Sequence, residues 1–123
     1  MRTGICRFSQ SDDDLCEHVL KTCLTETWWE RSRGLLAMPE LQNDEALWIT
    51  PCNSVHTFGM SYALDLIYLN RSMQIIKLVN QCVPRRTSGC WSARSVLEVS
   101  AGTIQRFNLQ LGMSIVWEHQ VST

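Results

Sequence analysis

Four side chains between positions 52 and 98 are of types that could perform chemistry together. Asp65 interrupts an apolar run, where a carboxylate must be hydrogen-bonded or paired to avoid a penalty of several kcal/mol. His56 could be its partner, because an imidazole beside a carboxylate is the usual general-base pairing. Cys52 follows Pro51 in a loop, and with His56 and Asp65 it provides the elements of a Cys/His/Asp nucleophile arrangement.

Each of these side chains also has a purely structural interpretation. Asp65 could tie a loop backbone together, and His56 could be a core imidazole satisfied by a neighbour. Glu98, in the segment SVLEVS, shares a strand face with Val96 and Ser100 and could face either a pocket or solvent. The sequence leaves both interpretations open.

Arginines supply the candidate anion-binding groups. Arg33 lies in a short segment after two tryptophans, and Arg85 and Arg86 lie in a long loop. Their guanidinium groups suit a carboxylate or phosphate ligand, and they equally suit internal pairing with Asp65 or Glu98.

We expect no metal and no cofactor. Cys16, His18 and Cys23 form the only local cluster of ligand types, and their spacing matches no familiar structural zinc site. The chain has no phosphate-binding glycine loop and no recognised nucleophile motif. The six cysteines include no CxxC pair, so we interpret them as reduced thiols.

Composition indicates one ordinary globular domain spanning 1–123. Hydrophobic residues make up 45% of the 123 residues and charged residues 19%, and the formal net charge of −1 argues against a general nucleic-acid binder. No apolar stretch is long enough to span a membrane, and the N-terminus lacks the apolar core of a secretory signal, so we expect a cytoplasmic protein. A monomer is favoured.

The pattern of elements predicts a mostly β fold. Strands are expected over 3–8 (a first edge strand, followed by an acidic loop to residue 14), 46–50, 54–58, 62–69, 75–79, 96–100 and 114–118. Residues 15–24 fit either a helix or a strand, 70–73 predict a hairpin loop, and 81–92 predict a long loop. Short helices are expected over 28–33, after Pro39, and from Thr103. Together these indicate an antiparallel β-sandwich or a partly open barrel with two or three short helices.

The ordered blocks RSRGLL (31–36), PCNSVHTFGM (51–60), LDLIYL (64–69) and SVLEVSAG (95–102), followed by Gly112, resemble domain-of-unknown-function family 192, an uncharacterised prokaryotic family. The resemblance covers about residues 23–117. It implies a compact, mostly β domain, favours a strand for 15–24, and brings no known activity. The positions that match the family pattern are Arg33, Gly34, His56, Thr57, Met60, Asp65, Leu97, Glu98, Ala101, Gly102 and Gly112.

Three functions follow as hypotheses. The leading one is a non-catalytic binding or accessory domain for a small polar ligand or a protein partner, and its candidate ligand-binding residues are Arg33, His56, Thr57, Asp65, Arg85, Arg86 and Glu98. The second is a hydrolase-type enzyme with His56 as a base oriented by Asp65, and Cys52 or a water as the nucleophile. The third is a structural protein–protein module.

Overall fold

The described parts of the chain fold mainly into strands. A computed structural model describes residues 2–11, 14–25, 40–56, 62–84 and 86–119, with Ser11, residues 14–17 and His56 described through their backbone alone. The strands are β1 (Arg2–Ser11), β2 (Asp14–Leu24), β3 (Glu45–Ile49), β4 (Ser54–His56), β5 (Leu64–Leu69), β6 (Ile75–Cys82), β7 (Thr87–Gly89), β8 (Ser95–Ser100) and β9 (Ser114–His119). The one helix within these ranges is α1 (Thr103–Arg106).

Seven of these strands form one curled sheet in the order β6-β5-β8-β3-β2-β1-β9. Neighbours are antiparallel except for β2 and β3, which are parallel. The two edges meet at one end, where the Ile75 N–H donates to the Met113 carbonyl and the Ile115 N–H donates to the Met73 carbonyl, both at 2.8 Å. The sheet is therefore a partly open barrel, which confirms the mostly β prediction.

The central strands β5 and β8 are buried along their whole length. The nearly continuous apolar run at 62–69 predicts this for β5, whereas for β8 the sequence left open whether Glu98 faces solvent. On the inner face of the sheet, Ile67 and Leu97 pack with side chains from the outer strands and with Ile104 of α1. The outer face is covered in part by the β4–β7 ribbon, whose Val55 packs against it. Side chains on both faces of β5 and β8 are therefore packed against other parts of the molecule.

Several predictions for individual elements are confirmed. Residues 15–24 lie in β2, so the strand alternative is the right one. The loop between β5 and β6 is the expected hairpin, closed by a Met73 N–H to Asn70 carbonyl bond of 3.1 Å. The Asn70 side chain stabilises the turn by accepting from the backbone N–H groups of Ser72 and Gln74.

Other predictions need correction. Residues 3–8 form a strand, but β1 lies between β2 and β9 and is not at an edge, because β9 pairs with it from the far end of the chain. The loop expected at 81–92 contains the end of β6 and the whole of β7. The helix cap expected at Thr103 falls one residue earlier, at Gly102, which has a φ of 94° and no side chain to cap with.

The remaining helix predictions fall partly outside the described ranges. The helix expected at 28–33 lies there entirely. After Pro39, residues 40–44 form an irregular segment and a turn in place of the expected helix. No helix found in the described residues is long and apolar enough to cross a membrane.

Candidate functional site

Asp65 is fully buried on the inner face of β5, and its carboxylate accepts three backbone hydrogen bonds. Oδ1 accepts from the Gln81 N–H at 2.8 Å. Oδ2 accepts from the N–H groups of Gly102 at 3.1 Å and Ile104 at 2.9 Å. The expectation that this carboxylate needs hydrogen-bonding partners is confirmed, and the partners are backbone amides.

The three donors are groups that regular secondary structure leaves unpaired. Opposite Asp65, β6 shifts register between Leu64 and Leu66, and Gln81 has a φ of 50°. Such a bulge leaves an amide outside the strand ladder. Gly102 and Ile104 stand at the N-terminus of α1, where the first N–H groups have no partner within the helix. Asp65 thus serves as a helix cap supplied from a distant strand, which agrees with its structural interpretation.

Glu98 is the second buried carboxyl group and has a different environment. It is 4% exposed at the centre of β8, where its strand neighbours in register are Leu66 of β5 and Leu47 of β3. Within the described residues its carboxyl group has no hydrogen bond and no ion pair. Burial raises the pKa of Glu98 from 4.5 to about 7, because the apolar surroundings disfavour the charged form. The side chain therefore changes its charge close to neutral pH.

The strand register places Asp65 and Glu98 on opposite faces of the sheet. Glu98 lies directly opposite Leu66, so these two side chains share a face, and Asp65 precedes Leu66 by one residue. Because successive side chains of a strand point to opposite faces, Asp65 points to the inner face while Glu98 points to the outer face. The two carboxyl groups do not converge on one site.

A cleft of about 450 Å³ opens at the end of β8. We call it the Tyr62 cleft, and it is lined by Glu40, Leu41, Gln42, Asn43, Tyr62, Ala63, Ser100 and Ala101. Ser100 lies two residues beyond Glu98 on the same strand face. Tyr62 lies close enough to Glu98 for the Glu98 charge to raise the pKa of the phenol.

The Tyr62 hydroxyl adds a second buried polar group to this cleft. It forms no hydrogen bond of good geometry within the described ranges. Burial is the main cause that raises the pKa of Tyr62; the nearby Leu41 backbone lowers it, and the charges of Glu40 and Glu98 raise it further. A phenol in this setting stays protonated at neutral pH and can donate a hydrogen bond.

Arg106 connects two of the segments that line the Tyr62 cleft. Its guanidinium donates to the Asn43 carbonyl at 3.1 Å and to the Thr103 hydroxyl oxygen at 3.0 Å. Thr103 in turn donates to the Ser100 carbonyl at 2.8 Å. This network fixes the end of β8 against the 40–44 segment.

The other predicted site residues lie apart from the Tyr62 cleft or outside the described ranges. Cys52 is half-buried, and its thiol donates to the Ser54 carbonyl at 3.0 Å. The backbone of His56 pairs with Thr87 in the β4–β7 ribbon, and Arg86 is an exposed residue next to that ribbon. The residues outside the described ranges are Arg33, Thr57 and Arg85.

Two residues of the cleft were not anticipated. Tyr62 stands just before the apolar run of β5, and Asn43 lies in a turn that no motif marks. No sequence spacing relates either residue to β8: Tyr62 lies near Glu98 and Asn43 contacts Ser100, and both belong to segments remote from β8 in sequence. For Ser100, the i, i+2 spacing from Glu98 is the one sequence signal that places it correctly.

Asp65→Asn should destabilise the fold strongly. The amide would place an NH₂ group against at least one of the three backbone donors, leaving buried polar groups unpaired. We expect the free energy of unfolding to fall by about 2–4 kcal/mol in urea denaturation.

The matched control for this variant is Asp44→Asn. It removes an exposed carboxylate that lies 3.3 Å from the Lys21 ammonium, and an exposed ion pair of this kind contributes about 0–1 kcal/mol. Equal effects of the two variants would show that the Asp65 contacts do not hold the fold together.

Glu98→Gln should remove a pH-dependent part of the stability. The folded state raises the pKa of Glu98 from 4.5 to about 7 and so holds the proton more tightly than the unfolded chain. That stabilisation is present in full below the pKa of 4.5 that the side chain has in the unfolded chain, and it is lost as the pH rises to about 7. The loss in the free energy of unfolding amounts to about 3 kcal/mol.

Urea denaturation of wild type and Glu98→Gln across this pH window should therefore show wild type losing stability relative to the variant as the pH rises. Glu118→Gln is the control, because Glu118 is exposed and pairs with Arg7. A constant difference between wild type and Glu98→Gln at every pH would contradict the raised pKa.

Comparison with known proteins identifies the family to which the chain belongs. The sequence matches domain-of-unknown-function family 192, described as "Uncharacterized ACR", over residues 9–117. A UPF0127 protein from Thermococcus sibiricus is 28% identical over 100 residues, which cover 77% of this chain. The match spans 64% of that curated relative, so this chain corresponds to less than two thirds of its length.

Two crystal structures share the fold. A protein of unknown function from Novosphingobium aromaticivorans superposes with a TM-score of 0.80 at 19% identity, covering 94% of this chain and 85% of the other. A Sinorhizobium meliloti protein, provisionally described as a transcription regulator, gives 0.81 at 17% identity, covering 94% and 93%. At these identities the likeness shows the fold alone. The match over residues 9–117 identifies the family, and the chain belongs to domain-of-unknown-function family 192.

Proposed function

We propose that this domain binds a small polar ligand in the Tyr62 cleft, with Glu98 as the group that recognises it. The observation that carries the proposal is a pair of neighbouring buried polar groups: the Tyr62 hydroxyl in the cleft wall, which has no hydrogen-bonding partner among the described residues, and the Glu98 carboxyl group, whose charge acts on that phenol. Burying a polar group without a partner costs about 1–3 kcal/mol, and the cost is recovered when a ligand supplies the missing hydrogen bonds.

The two buried groups of the site define the chemistry of the ligand. Near neutral pH the Glu98 carboxyl group can donate a hydrogen bond when protonated and accept when ionised, while the Tyr62 hydroxyl can do both. Around them, Asn43 and Ser100 offer further amide and hydroxyl groups. A compact molecule with hydroxyl, amide or amine groups fits this set, and a cleft of about 450 Å³ is of the size that holds such a molecule.

An acid–base enzyme is the second candidate, and one observation favours it. A pKa of about 7 is the value at which a carboxyl group transfers protons most effectively at neutral pH. In this version Glu98 transfers the proton. Asp65, first considered as the carboxylate that orients a base, is engaged elsewhere, because both of its oxygens already accept backbone hydrogen bonds.

The test is a metabolite screen that follows the backbone amide resonances of the ¹⁵N-labelled protein. We expect at least one compound with hydroxyl, amide or amine groups to shift the resonances of Asn43, Tyr62 and Ser100. Tyr62→Phe and Glu98→Gln should each weaken binding roughly tenfold, as expected for the loss of one buried hydrogen bond. Glu118→Gln, on the exposed edge strand β9, should bind as wild type does.

Unfolding curves of the same variants separate a lost binding group from a lost fold. Absence of any shift at the Tyr62 cleft, in a protein that is folded, would contradict the proposal. Shifts confined to another surface would contradict it too. The spectrum of each bound compound, recorded over time, distinguishes the two candidates: conversion that stops in Glu98→Gln would favour the enzyme.

A further inference from the structure

Trp91 projects into solvent from a tight turn that follows β7. The turn is closed by the Ala93 N–H, which donates to the Cys90 carbonyl at 3.0 Å, and it is held to β4 by the Cys90 N–H, which donates to the Asn53 carbonyl at 2.8 Å. Trp91 itself is 97% exposed. A large aromatic side chain left in water on an ordered turn forgoes about 1.5–3 kcal/mol of burial, which points to a surface used for contact.

Two hollows adjoin each other beside this indole. The first, of about 410 Å³, is lined by Trp91 together with Asn53, Ser54, Gly89 and Cys90. The second, of about 270 Å³, is lined by Arg94 together with Pro51, Cys52, Asn53 and Ala93. Asn53 belongs to both, so a ligand that spans it would meet an indole on one side and a guanidinium on the other.

The described charged side chains around these hollows are all basic. The described residues of 51–56 and 83–94 include two arginines, Arg86 and Arg94, and no carboxylate. Lys77 adds a third cation, since its ammonium donates to the Gly89 carbonyl at 2.6 Å. Arg94 is exposed, and no carboxylate pairs with it in the part of the chain that the structure describes.

We propose that Trp91, Asn53 and Arg94, which we call the Trp91 surface, bind a small organic anion that carries a flat ring. The ring stacks on the Trp91 indole, the Asn53 amide lies between, and the carboxylate or phosphate of the ligand pairs with the Arg94 guanidinium. This surface shares no lining residue with the Tyr62 cleft, so the inference stands independently of the proposed function.

Charge and size favour a small anion over a nucleic acid. A polyanion is held by cations spread along its backbone, and this chain has a formal net charge of −1 and no extended basic track. The hollows on either side of Asn53 have room for one ring and one anionic group.

The test titrates the ¹⁵N-labelled protein with adenosine 5′-monophosphate and with indole-3-acetate, two ring-bearing anions with different anionic groups. The indole N–H resonance of Trp91, assigned by its loss in Trp91→Ala, reports binding. We expect both probes to shift this resonance at millimolar concentrations, and adenosine, which lacks the charge, to bind roughly tenfold more weakly.

Substituted variants complete the experiment. Trp91→Ala and Arg94→Gln should each weaken binding of both probes roughly tenfold, with Trp91→Ala followed through the Asn53 amide resonance. Val19→Ala and Arg7→Gln are matched controls, because both side chains are accessible to solvent and lie on β2 and β1, which contribute no residue to the Trp91 surface; they should bind as wild type does.

Three results would overturn the inference: no shift with either probe, equal binding of adenosine and its monophosphate, or unchanged binding in the Trp91→Ala and Arg94→Gln variants. A single-stranded oligonucleotide that binds far more tightly than the monophosphate would instead assign the surface to nucleic acid.

Discussion

The carboxylate of Asp65 satisfies backbone groups that the sheet and the short helix cannot satisfy themselves. One oxygen pairs with the amide exposed by the bulge in β6, and the other pairs with two amides at the start of α1. Through these bonds the Asp65 side chain holds both β6 and the start of α1 to β5. Because α1 contributes Ile104 to the inner core, the position of that helix also decides how the open end of the barrel is filled. A carboxylate accepts all three bonds, whereas an amide of the same shape cannot.

The two-residue period of a strand then determines where the second carboxyl group lies. With Asp65 committed to the inner face of β5, the register of β5 against β8 places Glu98 on the outer face. Two buried carboxyl groups on adjacent strands thus have different roles because their surroundings differ. Backbone amides surround the first, while apolar side chains and the Tyr62 cleft border the second. The first stabilises the fold through backbone hydrogen bonds, and the second is the group to which we assign ligand recognition in our proposal.

Much of this architecture could be predicted from the sequence because its determinants are local. The apolar run of β5, the Asn70 turn and the alternation within β8 each depend on a few neighbouring residues, and the need of Asp65 for partners follows from burial alone. What could not be predicted depends on long-range pairing. The place of β1 inside the sheet is set by β9, more than a hundred residues away in sequence. The strand β7 is three polar residues that pair only because β4 lies beside them. The Asp65 partners depend on a bulge and on a helix start. The cleft at the end of β8 depends on Tyr62 and Asn43, which belong to other segments of the chain.

Glu98 is a buried carboxyl group that pairs with no cation in the described part of the chain, and its pKa of about 7 means that it changes its ionisation near neutral pH. The most direct test is a pH titration of the side-chain carboxyl carbon of Glu98 by ¹³C NMR, assigned by comparison with Glu98→Gln. A midpoint near pH 7 is the expected result. A midpoint near the ordinary glutamate value of about 4.3 would show that water or a cation reaches the carboxylate, and it would contradict this account of the site.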